Sequence, residues 1–176
     1  INSRRRPMEN LAQEKIKIMR HNPFDIVANF EETVADYCGS KYCVAVDSCT
    51  NAIFLCCVFN RVLEVTIPSK TYISPALSIM HSGGDVVLDP GANDWSGIYQ
   101  LKPYPIFDAA KRFTSMMYVP GTFMCLSFHI KKHLKLGKGG AILTDNIEAR
   151  DWFRLASYEG RRRDKGIHDD NVSMRG

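Results

Sequence analysis

The chain has 176 residues, of which 45% are hydrophobic and 24% charged, and its formal net charge is +4. This composition excludes a largely disordered chain and fits one domain with a sizeable core. No stretch is apolar enough to span a bilayer, so no membrane segment is predicted. The positive charge is concentrated at residues 4–6 and 161–163, which favours small anionic partners as much as nucleic acid.

Six cysteines occur without paired metal-ligand spacing and without the density of a disulfide scaffold. They are Cys38, Cys43, Cys49, Cys56, Cys57 and Cys125. No signal peptide precedes them, so we expect reduced thiols, no metal site and a cytoplasmic protein.

Three regions are predicted along the chain. Residues 1–24 form an N-terminal segment with a weak helix at 11–19, residues 25–158 form one α/β domain, and residues 159–176 form a charged tail without core residues. The first strong signal in the domain is an amphipathic helix that starts at Asp25 and stops at Gly39.

Short apolar runs then alternate with helical patterns. Strands are predicted at residues 42–46, 64–68, 85–89, 104–108, 124–128 and 140–144, and helices at 52–59, 72–81 and 147–158. This alternation is typical of an α/β fold in which helices flank a mostly parallel sheet.

Ser48, Cys49 and Thr50 lie in the turn between the first strand and the helix that follows it. Backbone N–H groups and hydroxyls at a helix start, together with the positive end of the helix dipole, suit a phosphate group. The alternative is an ordinary helix cap, for which serine and threonine are also favoured.

Residues 125–145 carry the pattern that is most informative about chemistry. Ser127 is followed five positions later by Lys132, and a glycine-rich turn then leads into the next strand. A lysine that attacks a carbonyl must lose its proton near neutral pH, which the neighbouring charges of Lys131 and Lys135 favour. The alternative is a basic surface loop.

Two further residues stand at or just after the carboxyl ends of predicted strands. Asp108 ends a strand and is followed by two alanines small enough to lie against a flat ring, although aspartate at such a place also caps helices. Tyr72 follows a strand-to-helix turn, where its ring either stacks on a ligand or belongs to the core.

The order of these motifs resembles the DegT/StrS family of sugar aminotransferases. The motifs are Asp-Ser-Cys-Thr at 47–50, Pro-x-x-Thr-Tyr at 68–72, Asp-Ala-Ala-Lys at 108–111 and Ser-Phe-x-x-x-Lys at 127–132. The resemblance implies the large domain of the aspartate aminotransferase type, fold type I. It also implies pyridoxal 5'-phosphate as the cofactor.

The resemblance assigns a role to each motif residue. Lys132 would hold the cofactor aldehyde and Asp108 would pair with the ring nitrogen as the catalytic residues. The cofactor-binding residues would be Ser48, Cys49, Thr50 and Ser127 at the phosphate, Tyr72 and Ala110 at the ring, and Lys111 near the phenolic oxygen.

Several positions depart from the commoner family pattern. Cys49 replaces a glycine, Lys111 a glutamine, Ile130 a proline and His133 an asparagine. Related sugar dehydratases carry histidine in place of Lys132, so the lysine favours transamination over dehydration.

The resemblance covers about residues 30–159 and is uneven. Typical members have another strand and helix between the strands that match 85–89 and 104–108, where this chain has only a short loop. The small C-terminal domain of the family is missing. The chain is therefore expected to be a compact branch of the family, a fragment, or both.

The resemblance implies an enzyme that transfers an amino group to a nucleotide-linked keto sugar as a homodimer, with glutamate as the expected amino donor. The alternative is a cofactor-binding but inactive regulatory or partner protein of the same fold. A nucleic-acid-binding module is disfavoured, because no recognition motif and no P-loop accompany the basic residues.

Overall fold

The computed structural model describes residues 24–163 of the chain. The weak helix predicted at 11–19 and most of the predicted tail lie outside these residues. Within residues 24–163, no helix has the length and apolar character needed to cross a membrane.

Four helices and seven strands make up this part of the chain. The helices are α1 (Asp25–Cys38), α2 (Cys49–Phe59), α3 (Ile73–His81) and α4 (Ile147–Ala156). The strands are β1 (Tyr42–Val46), β2 (Glu64–Pro68), β3 (Asp85–Asp89), β4 (Tyr99–Leu101), β5 (Ile106–Asp108), β6 (Phe123–Ser127) and β7 (Gly140–Thr144).

The strands form a five-stranded sheet of order β1-β7-β6-β5-β4 and a two-stranded sheet of β2 and β3. An antiparallel bridge between Thr66 and Lys102 places β2 beside the end of β4. The pairs β5–β6 and β2–β3 are parallel, whereas β1–β7, β6–β7 and β4–β5 are antiparallel.

The sheet is therefore mixed, which corrects the expectation of a mostly parallel one. Five strands do run in one direction, and only β4 and β7 run the other way. The segment between β3 and β5 contains no helix, and β4 pairs with β5 through a short antiparallel turn. The strand β4 lies in the segment that the sequence predicts to be a loop.

Local sequence explains where the helices start and stop. Gly39 ends α1 with φ of 80°, a conformation that glycine adopts without steric cost, and its N–H bonds the carbonyl of Ala35. Ser48 caps α2 by accepting a bond from the N–H of Asn51 at 3.2 Å, so α2 starts three residues before the predicted position.

The core has two parts, one on each face of the sheet. Side chains of β6 alternate between them: Cys125 faces α2, while Met124 and Leu126 face α1. This alternation follows from the period of two in a strand. The sheet is thus covered by helices on both faces, as predicted for an α/β fold.

A buried acidic residue ties the end of the described chain to α1. The carboxylate of Glu31 accepts bonds from Arg154 at 2.7 Å, from Arg163 at 3.0 Å and from the backbone N–H of Ala45 at 3.0 Å. Arg163 belongs to the predicted charged tail, so at least this part of the tail contacts the domain.

Candidate active site

A cleft of about 320 Å³ lies where β2 and β5 end. Its lining residues come from the turn before α3, the segment before β4, the end of β5 and the loop after β6. They are Lys70, Thr71, Tyr72, Trp95, Asp108, Ala110, Lys111 and Lys132. Ligands of α/β proteins bind at this carboxyl edge of the sheet, so the position is that of a binding site.

Asp108 is the buried acid of the cleft, with only 6% of its surface exposed. One carboxylate oxygen, Oδ1, accepts a bond from the backbone N–H of Ala110, and the other, Oδ2, accepts a bond from the Tyr99 hydroxyl, each at 2.8 Å. Burial raises the pKa of Asp108, while these two bonds and the charges of Lys132 and Lys111 oppose the rise.

Tyr99 is a site residue that sequence reasoning missed. It pairs directly with Asp108 in the β4–β5 ladder, and its hydroxyl also lies 2.8 Å from the Thr71 hydroxyl. Burial and the nearby Asp108 raise the pKa of Tyr99. A hairpin pattern, Tyr99 to Leu101 followed by a turn at Pro103, was the signal that could have located it.

Lys132 lies in the loop between the antiparallel neighbours β6 and β7. The loop is fixed at its base by backbone bonds from Phe128 to Gly139 and from Leu136 to Phe128, and the N–H of Lys132 bonds the carbonyl of His129 at 2.8 Å. The structure places Lys132 in the cleft lining, whereas Lys131 is exposed and does not line it.

The residues expected at a phosphate lie together but do not line the cleft. Ser48 forms a bridge with Gly139, and Ser127 pairs with Gly140, so the two serines flank consecutive glycines. Thr50 is exposed at the start of α2, and its carbonyl accepts a bond from Ser78 at 3.0 Å.

Cys49 takes the place of a glycine, yet its side chain turns into the core. Its Sγ lies 3.5 Å from the carbonyl oxygen of Cys125 and 3.9 Å from Oδ1 of Asp108. Burial raises the pKa of the Cys49 thiol well above its ordinary value, and Asp108 raises it further. The start of α2 is consequently not covered by this side chain.

The ring-facing candidates differ in their exposure. Tyr72 is 74% exposed at the cap of α3, so its ring lies at the mouth of the cleft. Ala110 lines the cleft, whereas Ala109 is buried in the core facing α1. Only one of the two alanines is therefore available to a ligand.

Lys111 lies against an aromatic ring that sequence reasoning also missed. Its ammonium group is 5.2 Å from the centre of the Trp95 ring, a cation–π arrangement, and Trp95 in turn contacts Tyr99 edge-on at 5.0 Å. No sequence motif marked Trp95, because the contact depends on the fold of the segment before β4.

The part of the chain described by the structure contains no group of three or more His, Cys, Asp or Glu side chains that could hold a metal ion. The ionisable acid and base side chains of the cleft are instead three lysines and one buried carboxyl group. This excess of positive charge suits an organic anion.

Two curated relatives match part of the sequence. GDP-perosamine synthase of Caulobacter vibrioides is 38% identical over 65 residues, which are 35% of this chain and 18% of the relative. A dTDP-3-amino-3,6-dideoxy-alpha-D-galactopyranose transaminase of Aneurinibacillus thermoaerophilus is 38% identical over 74 residues, which are 40% of this chain and 20% of the relative.

The fold matches solved aminotransferase structures. NtdA from Bacillus subtilis, solved with bound cofactor PMP, aligns with a TM-score of 0.63 and 19% identity over 86% of this chain and 44% of NtdA. This likeness shows the fold, which is fold type I as the resemblance implied. The chain spans less than half the length of each of these three proteins.

The sequence also matches a family over most of its length. Residues 9–97 and 107–175 match, and the gap between them contains β4. The chain belongs to the DegT/DnrJ/EryC1/StrS aminotransferase family.

Proposed function

We propose that this chain is the cofactor-binding part of a pyridoxal phosphate-dependent aminotransferase that acts on a nucleotide-linked keto sugar, with glutamate as the amino donor. The observation that carries the proposal is that Lys132 and the buried Asp108 line one cleft. They come from separate elements, 24 positions apart in the sequence, and this family uses such a lysine and acid on opposite ends of its cofactor.

The residues present fit pyridoxal phosphate. Asp108 is a buried carboxyl group whose pKa is raised by burial, so a protonated ring nitrogen would stabilise its ionised form. Ser48 and Ser127, beside the start of α2, would supply hydroxyls for the phosphate, and the positive end of the helix would favour its charge.

Each residue then has a defined task. When bound, the cofactor supplies an electron sink for the bond that is broken next to the amino nitrogen. Asp108 would accept a hydrogen bond from the ring nitrogen, and Tyr72 with Ala110 would orient the ring. Lys132 would hold the cofactor aldehyde through Nζ, and its amine would serve as the group that takes and returns a proton.

The charge of the cleft supports an anionic substrate. Lys70, Lys111 and Lys132 surround it, against the single carboxyl group of Asp108. A nucleotide-linked sugar carries a diphosphate, and the names of both curated relatives refer to sugars linked to nucleotides. We include in the proposal a homodimer in the cytoplasm, which the family resemblance supports.

The test is the absorbance spectrum of the purified protein with added pyridoxal phosphate. We expect a covalent lysine adduct that absorbs near the visible edge and is trapped by borohydride. The Lys132→Ala variant should lack it, while Lys131→Ala, the matched control, should retain it. A wild-type protein without the band, or a Lys132→Ala variant that keeps it, overturns the proposal.

A second candidate is a protein that binds the cofactor without catalysing transfer. The contact of Lys111 with Trp95 favours it, because this lysine occupies the position of a family glutamine near the cofactor. Amino transfer from glutamate to a nucleotide-linked keto sugar supports the enzyme. Bound cofactor with no transfer across a panel of such sugars supports the second candidate.

A further inference from the structure

Asp108 has hydrogen-bond donors on both carboxylate oxygens, and they differ in origin. The N–H of Ala110 reaches Oδ1 from the next turn of the chain, whereas the Tyr99 hydroxyl reaches Oδ2 from β4. Tyr99 lies between the two stretches that match the family, 9–97 and 107–175. The family pattern therefore does not prescribe this donor.

The direction of the hydrogen bonds follows from the number of protons. A phenol has one proton, and Tyr99 gives it to Asp108. The contact between Tyr99 and Thr71, also 2.8 Å, must then use the proton of the Thr71 hydroxyl. Thr71 thus donates to Tyr99, and Tyr99 donates to Asp108, which is the order that stabilises an ionised carboxylate.

We propose that Tyr99, held by Thr71, is a positioning residue for Asp108: it fixes the carboxylate plane and favours the ionised form that meets a cationic ring nitrogen. The proposal rests on the proposed function for the ring nitrogen. It does not require the sugar substrate or the amino donor to be those proposed.

The other groups around Asp108 show why the hydrogen bond from Tyr99 is important. The groups that face it are Tyr99 from β4, Cys49 from α2, Cys125 from β6, and the two cations Lys111 and Lys132. The thiols are buried and have raised pKa values, so neither is a strong donor. Tyr99 is thus the strong side-chain donor to this carboxylate among the described residues.

The first measurement follows the carboxyl signal of Asp108 by carbon NMR during a pH titration without cofactor. In the Tyr99→Phe variant we expect a higher pKa for Asp108 than in the wild type, since a bond to the ionised form is lost. The matched control is Tyr118→Phe, which removes a phenol that donates to the Thr122 carbonyl. An unchanged pKa in Tyr99→Phe overturns the proposal.

The second measurement compares the binding of pyridoxal phosphate with that of its deaza analogue, in which carbon replaces the ring nitrogen. Tyr99→Phe should bind pyridoxal phosphate about tenfold more weakly than the wild type does, and the analogue equally well. Equal losses for both ligands indicate a general packing defect and overturn the positioning role.

A milder variant provides a second test in case Tyr99→Phe does not fold. Thr71→Val keeps the Tyr99 ring and removes the donor behind it, so it should change both measurements in the same direction and by less. If the wild type itself does not prefer pyridoxal phosphate to the analogue, the pairing of Asp108 with the ring nitrogen fails. The NMR titration still reports on the bond from Tyr99 to Asp108 in that case.

Discussion

Gly140 lies so close to the peptide between Ser48 and Cys49 that a β-carbon on it would be 2.4 Å from the carbonyl carbon of Ser48 and 2.5 Å from the nitrogen of Cys49. Both atoms belong to the backbone, so no side-chain rotation relieves such a contact. The absence of a side chain at position 140 therefore sets the distance between β7 and the start of α2.

We expect Gly140→Ala to lower the free energy of unfolding by about 2–3 kcal/mol, because β7 or α2 must shift to admit the methyl group. The shift should also weaken phosphate binding at the helix start. Urea denaturation measures the first effect. Gly91→Ala is the control, since its nearest contact is the flexible Asp89 side chain at 3.3 Å, and a similar loss there would contradict the explanation.

Glu31 is 2% exposed and balances two arginines, so its charge should matter for stability. Glu31→Gln removes the negative charge to which Arg154 and Arg163 bond, and we expect it to destabilise the protein by about 3 kcal/mol in chemical denaturation. Asp151→Asn, which breaks the exposed pair with Arg150, should cost less than about 1 kcal/mol. Equal effects of the two substitutions would contradict this prediction.

The pKa of Asp108 predicts a pH dependence with a definite sign. Burial raises that pKa above its unfolded value, so the folded state binds the proton more tightly. Protonated Asp108 therefore stabilises the fold at pH values below its pKa in the unfolded state. This stabilisation is lost as pH rises through its pKa in the folded state. As pH rises between these two pKa values, the free energy of unfolding of cofactor-free Asp108→Asn should increase relative to that of the wild type, by at most about 1.4 kcal/mol per pH unit.

Urea denaturation of both proteins across that interval checks the sign. A stability difference that stays constant, or that moves in favour of the wild type as pH rises, would show that burial does not control this carboxyl group. Asp151→Asn serves again as the comparison, because its carboxylate is on the surface.

The thiols should resist alkylation in the native state. All six cysteines are free and buried, and burial raises the pKa of Cys38 to about 11 and that of Cys57 to about 12. Because the thiolate is the reactive form, we expect iodoacetamide to label none of them quickly at mildly alkaline pH, and all six after unfolding in denaturant. Rapid native labelling, read by mass spectrometry, would contradict the buried positions.

Local patterns predicted much of the fold, and non-local contacts account for what was missed. The helix that ends at Gly39 and the cap at Ser48 depend on residues within a few positions, and both patterns are visible in the sequence. Three residues of β4 are too few for a periodic pattern. Their pairing with β5 decides their structure instead.

The candidate site shows the same difference between local patterns, which the sequence reveals, and non-local contacts, which it does not. The motifs singled out Asp108, at the end of β5, and Lys132, five positions after the end of β6, and the structure brings both into one cleft. Tyr99 and Trp95 were missed since their roles depend on partners in other elements. The bond from Arg163 to Glu31 joins residues 132 positions apart, so no local pattern announces it.

The pairing of β1 with β7 has a consequence for how the site is assembled during folding. It joins residues 42–46 to residues 140–144, which are separated by almost the whole length of the domain. This pairing also places Ser48 beside Gly139, with which it forms a β-bridge. Closing so long a loop carries a large entropic cost, so such a contact tends to form late. No short stretch of the chain contains both halves of the site, and a ligand that bridges them would bind only the fully folded state and stabilise it by mass action.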